Sequence, residues 1–191
     1  MLTAVVEGSS DEGAVAKLLA AVDLSVDRWL IMGGKSHLDA RLPVYARAAT
    51  QVPGDRYVVF RDTDDRCPAE LRTALLANTV PGSPLMLRLA HPEIEAWLLG
   101  DAAAVAAWLG VPMSAVPLSP EDTGNAKEAL LALARRSRRR ELRDALVRSD
   151  GKPGQRYVAE VNAFASGFWH PQAARQTCPS LGRAIRALEA W

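Results

Sequence analysis

Four short apolar runs, each closed by acids or turn formers, punctuate the first hundred residues. Leu2-Thr-Ala-Val-Val6 stops at Glu7-Gly8. Residues 28–32, Arg-Trp-Leu-Ile-Met, stop at Gly33-Gly34. Tyr57-Val-Val-Phe60 leads into Arg61-Asp-Thr-Asp-Asp-Arg66, and Pro84-Leu-Met-Leu-Arg-Leu-Ala90 leads into His91-Pro92. Short runs rich in β-branched and aromatic residues, with turn residues behind them, read as buried strands. The intervening segments repeat at helical spacing. Ser10 is placed to cap a helix with Asp11 and Glu12 in its first turn and Val15, Leu18, Leu19 and Val22 on one face. Residues 38–50 put Leu42, Tyr45 and Ala49 on one face, and Pro68 suits the first turn of a helix to about Leu76. Pro92 opens a further helix with Ile94, Trp97 and Leu98 inward.

The resulting order, β-α-β-α-β-α-β-α, predicts an α/β fold: a Rossmann-like parallel sheet of about four strands flanked by helices. Right-handed crossovers bring the carboxyl ends of such strands to one edge, where open sheets bind ligands. Glu7, Gly33-Gly34, Asp62, Asp64 and the segment from His91 to Glu95 are expected to meet there. After Asp101 the pattern changes. A short helix at 102–109 precedes a Pro-rich loop at 110–124. A helix then starts at about Ala126 and runs through Leu130, Leu131 and Leu133 into the arginine-rich residues 135–143. Gly151-Lys-Pro-Gly154 breaks the chain before final helices at 157–165 and 181–188. The expected division is an α/β domain over 1–109 and a basic C-terminal helical extension, 110–191, packed on it.

The 191 residues are 49% hydrophobic, enough for a substantial core, and the net charge is only +1. Nothing global therefore demands a polyanionic partner. The charge is uneven: residues 1–100 sum to −3 and residues 101–191 to +4. An acidic half beside a basic half suits a phosphate-containing ligand. The two cysteines, Cys67 and Cys178, lie far apart without metal-ligand spacing, which fits reduced thiols and a cytoplasmic location. No run of about 18 apolar residues occurs, so no membrane span is expected, and no secretory signal is visible.

Candidate chemistry lies in the strand-end acids. Three oxygen-ligand side chains, Glu7, Asp62 and Asp64, delivered to one crevice would form a site for a hard dication such as Mg²⁺ or Mn²⁺. Residues two apart in an extended segment point the same way, so Asp62 and Asp64 are expected to reach one ion. Glu93 and Glu95, two apart on a helix, would diverge by about 200°, leaving only one to face the crevice. Lys127 sits in a first helical turn, where the dipole favours an acid. It is either held for a phosphate or simply solvated. The run containing Arg135, Arg136 and Arg139 fits a nucleic-acid backbone, a solvated face or a partner surface equally well.

Val6-Glu-Gly-x-x-Asp11, then Gly33-Gly34, then Asp62-x-Asp64, resembles the TOPRIM domain of topoisomerases, primases and OLD-type nucleases. Glu93-Ile-Glu-Ala-Trp-Leu-Leu-Gly-Asp101, the Lys127 helix and the closing Cys178-Pro-Ser-Leu are similar to blocks of an uncharacterised prokaryotic TOPRIM-like family related to those nucleases. The resemblance implies a TOPRIM-type sheet with metal ligands at Glu7, Asp62, Asp64, Glu93 and Glu95. It also implies catalytic roles for Glu7, Asp62, Asp64 and Lys127, and phosphate contacts from Lys127, Arg135, Arg136 and Arg139. The expected function is Mg²⁺-dependent phosphodiester hydrolysis on nucleic acid, in a defence setting. The alternatives are a non-catalytic nucleic-acid or nucleotide-binding module, or a partner subunit of an ATPase, with homodimerisation open. The chain departs from the pattern in its extra Asp65 and in the flanking Arg61 and Arg66, which are placed to neutralise the acids.

Overall fold

Strands β1 (Leu2–Val6), β2 (Arg28–Ile31), β3 (Arg56–Asp62) and β4 (Leu85–Ala90) form one wholly parallel sheet in the order β2-β1-β3-β4. This computed structural model describes residues 1–191. The helices between the strands are α1 (Glu12–Ala20), α2 (Lys35–Gln51) and α3 (Pro68–Leu76). The strand order places a topological switch point between β1 and β3. From β1 the chain crosses to one side, and from β3 to the other. The carboxyl ends of those two strands therefore border an open crevice. Glu7 follows β1 and Asp62 ends β3, so connectivity alone puts both acids at its mouth.

Side chains alternate across the sheet, and the two faces are covered unequally. Leu2, Ala4, Val6, Val58 and Phe60 belong to a core of 39 buried residues that also takes in α1 and the whole C-terminal half. Val5, Tyr57, Val59 and Leu87 on the other face pack in a cluster of seven with Leu38, Leu42 and Ala49 of α2. The C-terminal helices are α4 (Ile94–Leu99), α5 (Ala102–Leu109), α6 (Ala126–Arg135), α7 (Arg140–Leu146), α8 (Tyr157–Gly167), α9 (Pro171–Ala174) and α10 (Pro179–Glu189). They share the larger core with the sheet. The fully buried Trp97 donates its indole N–H to Ser180 at 2.7 Å, and Trp169 donates to the Trp97 carbonyl at 3.0 Å. Cys178 is buried behind α4, and burial pushes its thiol up to about 12. No single helix is long and apolar enough to cross a membrane.

Several local expectations change. Helix α2 begins at Lys35, because Gly34 (φ 127°) turns the chain directly out of β2. Its amide also bonds the Glu7 carbonyl at 3.0 Å, pinning the end of β1. Asp11, rather than Ser10, sits at the start of α1, and its carboxylate turns back to accept from the Gly8 amide at 2.8 Å. Helix α4 starts at Ile94, not Pro92, since Glu93 is extended. The loop at 110–124 contains two short 3-10 turns, Met113–Ala115 and Pro120–Asp122. The arginine run does not wrap one helix: α6 ends at Arg135 and α7 begins at Arg140. Between them Ser137 is buried, donating to the Leu109 carbonyl at 2.6 Å and accepting from the Arg139 amide at 3.1 Å. A side chain that bonds nearby backbone in this way competes with helix continuation.

Candidate functional site

The crevice between β1 and β3 is a cavity of about 220 Å³ walled by Glu7, Gly8, Ser10, Asp11, Gly34, Asp62, Asp64, Glu93, Glu95 and Lys127. None of these residues is hydrophobic, and six carry carboxyl groups. Glu7, Asp62, Asp64, Glu93, Glu95 and Lys127 are thus gathered from four separate stretches of chain. Arg135 and Arg136 lie at the end of α6, while Arg139 borders a different cavity with Trp108, Phe168 and His170.

Each acid is held differently. Asp62 Oδ1 accepts from the Ile94 amide at 3.0 Å, so the strand-end aspartate caps the first turn of α4. Burial, and then the nearby carboxylates of Asp11, Glu95, Glu7 and Glu93, push its carboxyl well above the usual range. Glu93 is extended ahead of α4 and accepts from the Lys127 amide at the start of α6 at 2.8 Å. The expected divergence of Glu93 and Glu95 therefore does not occur: only Glu95 is helical, and both reach the crevice. Burial raises Glu93, the Lys127 amide opposes it, and Glu95 adds to the rise. Glu95 is 4% exposed and accepts from the Tyr157 hydroxyl at 2.9 Å, with the Lys127 ammonium 3.6 Å away. That ammonium also lies 5.0 Å from the centre of the Tyr157 ring. Burial and then Glu95 raise the Tyr157 phenol, which stays a donor.

Asp11, expected in the first turn of α1 and as the last residue of the Val6-Glu-Gly-x-x-Asp11 pattern, is 5% exposed and belongs to this wall. Burial raises it to about 6 despite its bond from the Gly8 amide, with Glu95 adding to the rise.

Asp64 does not follow Asp62 in an extended chain. Its backbone is left-handed (φ 51°), so the two carboxylates take different surroundings. Asp64 meets Lys35 at 3.0 Å and Arg61 at 3.2 Å. Burial alone would raise its carboxyl, but the bonds from Lys35 and Arg61 bring it below the usual range. Arg61 is 3% exposed and also binds Asp39 at 3.0 Å, with Glu7 at 3.5 Å. Glu7 Oε2 is buried without a hydrogen-bond donor. Burial raises the Glu7 carboxyl; Arg61 opposes this, and Asp64 reinforces it. Arg61 thus occupies the space between Glu7 and Asp64, as its place beside the acids foreshadowed. Arg66 is exposed and forms no ion pair.

Two groupings result. Glu7, Asp39 and Asp64 face Arg61 and Lys35 toward α2. Asp11, Asp62, Glu93 and Glu95 face only Lys127 on the opposite side. The second grouping carries a surplus of negative charge that raised proton affinity partly relieves. An all-oxygen donor set with this surplus, beside the undonated Glu7 oxygen, matches the chemistry of a hard dication. As they stand, no three His, Cys, Asp or Glu side chains are arranged to hold one ion. Full coordination would need Glu7 or Asp64 to turn away from Arg61.

No protein-family model matches the chain, and no curated protein does. Among solved structures, the chain is similar to the C-terminal region of the Burkholderia pseudomallei OLD protein. The TM-score is 0.52 at 16% identity, over 99% of this chain and 96% of that one. The C-terminal region of the Xanthomonas campestris pv. campestris OLD protein aligns with a TM-score of 0.42 at 14% identity, over 86% and 93%. The Burkholderia likeness, spanning nearly all of both chains, shows that this protein shares the α/β fold of that C-terminal region, with its four-strand parallel sheet flanked by helices.

Proposed function

We propose that the chain hydrolyses phosphodiester bonds of nucleic acid at the β1/β3 crevice with the help of Mg²⁺ or Mn²⁺. The observation that supports this most is the convergence of Glu7, Asp11, Asp62, Glu93 and Glu95 with Lys127 in one polar cavity. Asp62, Glu7 and Glu93 are the side chains that would hold the dication, with Asp64 and Glu95 completing the set. When bound, the dication would lower the pKa of water and offset phosphate charge.

The chain's own residues divide the remaining work. The Lys127 ammonium, steadied by Glu95 and the Tyr157 ring, would face a non-bridging phosphate oxygen and stabilise charge developing there. Glu7 Oε2, buried without a hydrogen-bond donor and 3.5 Å from the Arg61 guanidinium, is the Glu7 oxygen that a dication would engage in place of Arg61. Arg61, fixed by Asp39, would hold Glu7 and Asp64 in place until the phosphate and ion arrive. A chain that works beside a partner such as an ATPase would be detected by co-purification.

The contact of Arg61 with Glu7 and Asp64 favours a second reading, a crevice that binds nucleic acid or nucleotide without cutting. Cleavage of labelled DNA and RNA in Mn²⁺ separates the two. The hydrolase reading expects activity that disappears with Asp62→Asn; cleavage retained in that variant rules out this site, and absent cleavage with retained oligonucleotide binding selects the second reading.

A further inference from the structure

Strand β4 is one of the two outer strands of the sheet, and a cavity of about 440 Å³ lies along it between α3 and α10. Its floor is apolar, with Leu87, Leu89, Pro68 and Ala184, and its walls carry Arg72, Arg88 and Arg183. Arg72 Nη1 and Arg88 Nε both donate to the Leu87 carbonyl, at 3.0 and 2.7 Å. A guanidinium has five N–H donors, so one shared anchor fixes two arginines and leaves most of their donors free. No carboxylate lies within 4.0 Å of Arg72, Arg88, Arg183 or Arg186. Arg88 is half-buried; burial, followed by the charge of Arg72, depresses its proton affinity. Two cations placed side by side on a strand edge without an acid are unfavourable unless an anion joins them.

The geometry extends in both directions. Arg183 also walls a neighbouring cavity of about 470 Å³ with Arg186 and Arg175, of which Arg175 is already paired with Glu189 at 3.9 Å. At the other end stands His91, whose Nδ1 is 2.7 Å from the Thr63 hydroxyl. Thr63 lies between Asp62 and Asp64. The arginine groove therefore ends at His91, which touches the buried Thr63 between the two strand-end acids, and it leads away across α10.

We propose that this groove binds the phosphate backbone of a single nucleic-acid strand whose reacting phosphate lies in the crevice. Arg72 and Arg88 would share one phosphate, Arg183 would hold the next, Arg186 would extend the track, and the apolar floor would receive a base. The identity of the polyanion rests on the hydrolase reading above; the groove and its arginines do not. The arginine run at 135–140 is the competing location, since it is also basic but lies apart from the crevice.

The test is fluorescence anisotropy of a labelled single-stranded oligonucleotide with the full chain in EDTA, so that cleavage plays no part. The triple variant R72Q/R183Q/R186Q changes only exposed side chains. It is expected to weaken binding at least about tenfold near 100 mM salt, and to reduce the slope of log affinity against log salt by about 2, three lost single-strand phosphate contacts. The R135Q/R136Q variant should shift affinity less than about twofold. A triple variant that binds like wild type, a loss confined to R135Q/R136Q, or a wild-type chain that fails to bind even at low salt would overturn the proposal. A chain that binds through the groove but never cleaves in Mn²⁺ would sink the hydrolase reading alone.

Discussion

Arg61 and Asp62 are neighbours at the end of β3 and send their side chains to opposite faces of the sheet. Arg61 is 3% exposed and ties together Asp39, Asp64 and Glu7 on the α2 side. Asp62 turns toward Asp11, Glu93 and Glu95 and caps α4. One peptide link thus separates a compensated ion network from an acid cluster that has only Lys127 to offset it. Period-two alternation in a strand is the cause, and the asymmetry it creates determines where added positive charge is most favourable.

Removing the compensating cation should be costly. Arg61→Gln leaves three carboxylates without their shared partner. Breaking a buried ion pair from one side costs about 3–5 kcal/mol. Urea unfolding should show a loss of this order without a change in m. Mg²⁺ should restore more stability to the variant than to wild type, because the freed Glu7 and Asp64 become available to it.

Stability should fall as pH rises through the acid cluster. Asp11 is raised to about 6 from an ordinary value of 3.8. The folded chain therefore holds this proton more tightly than the unfolded chain. The stabilisation is complete below about pH 4 and is lost as pH passes 6. A shift of this size corresponds to at most about 3 kcal/mol. Asp11→Asn keeps an acceptor for the Gly8 amide and removes the charge. It should be more stable than wild type at pH 7.5 and nearly equal near pH 3.5, by denaturant titration; a gap that is unchanged between the two would contradict the assignment.

The same linkage predicts that dication binding releases protons and tightens with rising pH. Calorimetric titration of Mn²⁺ in two buffers of different ionisation enthalpy near pH 6 should give different apparent heats. Identical heats would mean that the crevice carboxyls are already ionised.

Helix α1, which follows Asp11, crosses α8, which carries Tyr157. The crossing is tight at Gly13: its amide donates to Asn162 Oδ1 at 2.9 Å, and a Cβ there would sit 2.8 Å from the Asn162 backbone. Gly13→Ala should cost about 1–3 kcal/mol by overpacking. It should also weaken Mn²⁺ binding by displacing Asp11 and Tyr157, whereas Gly167→Ala, which meets nothing, should not.

The sheet was readable because each strand is a short, mostly apolar run closed by turn residues. The acids at the ends of β1 and β3 were readable for the same reason. What periodicity could not show was where the chain leaves regular geometry. Asp64 is left-handed and Glu93 is extended, so simple strand and helix spacing misplaced their partners. Ser137 interrupts the arginine run through a contact with Leu109, 28 residues away. Asp11 stood out as a helix-start acid and a motif residue but not as a buried one, and Tyr157 gave no local sign at all, since its role comes from Glu95, 62 residues earlier. The arginines along β4 were scattered singly through three segments and gained meaning only when α3 and α10 brought them together.

The decisive measurement is anomalous diffraction from a crystal soaked in Mn²⁺. It should show a peak in the β1/β3 crevice at about 2.0–2.4 Å from a carboxylate oxygen of Asp62, with Glu7 or Asp64 turned away from Arg61. A crevice without a peak, with Arg61 still joining Glu7 and Asp64, would contradict the account.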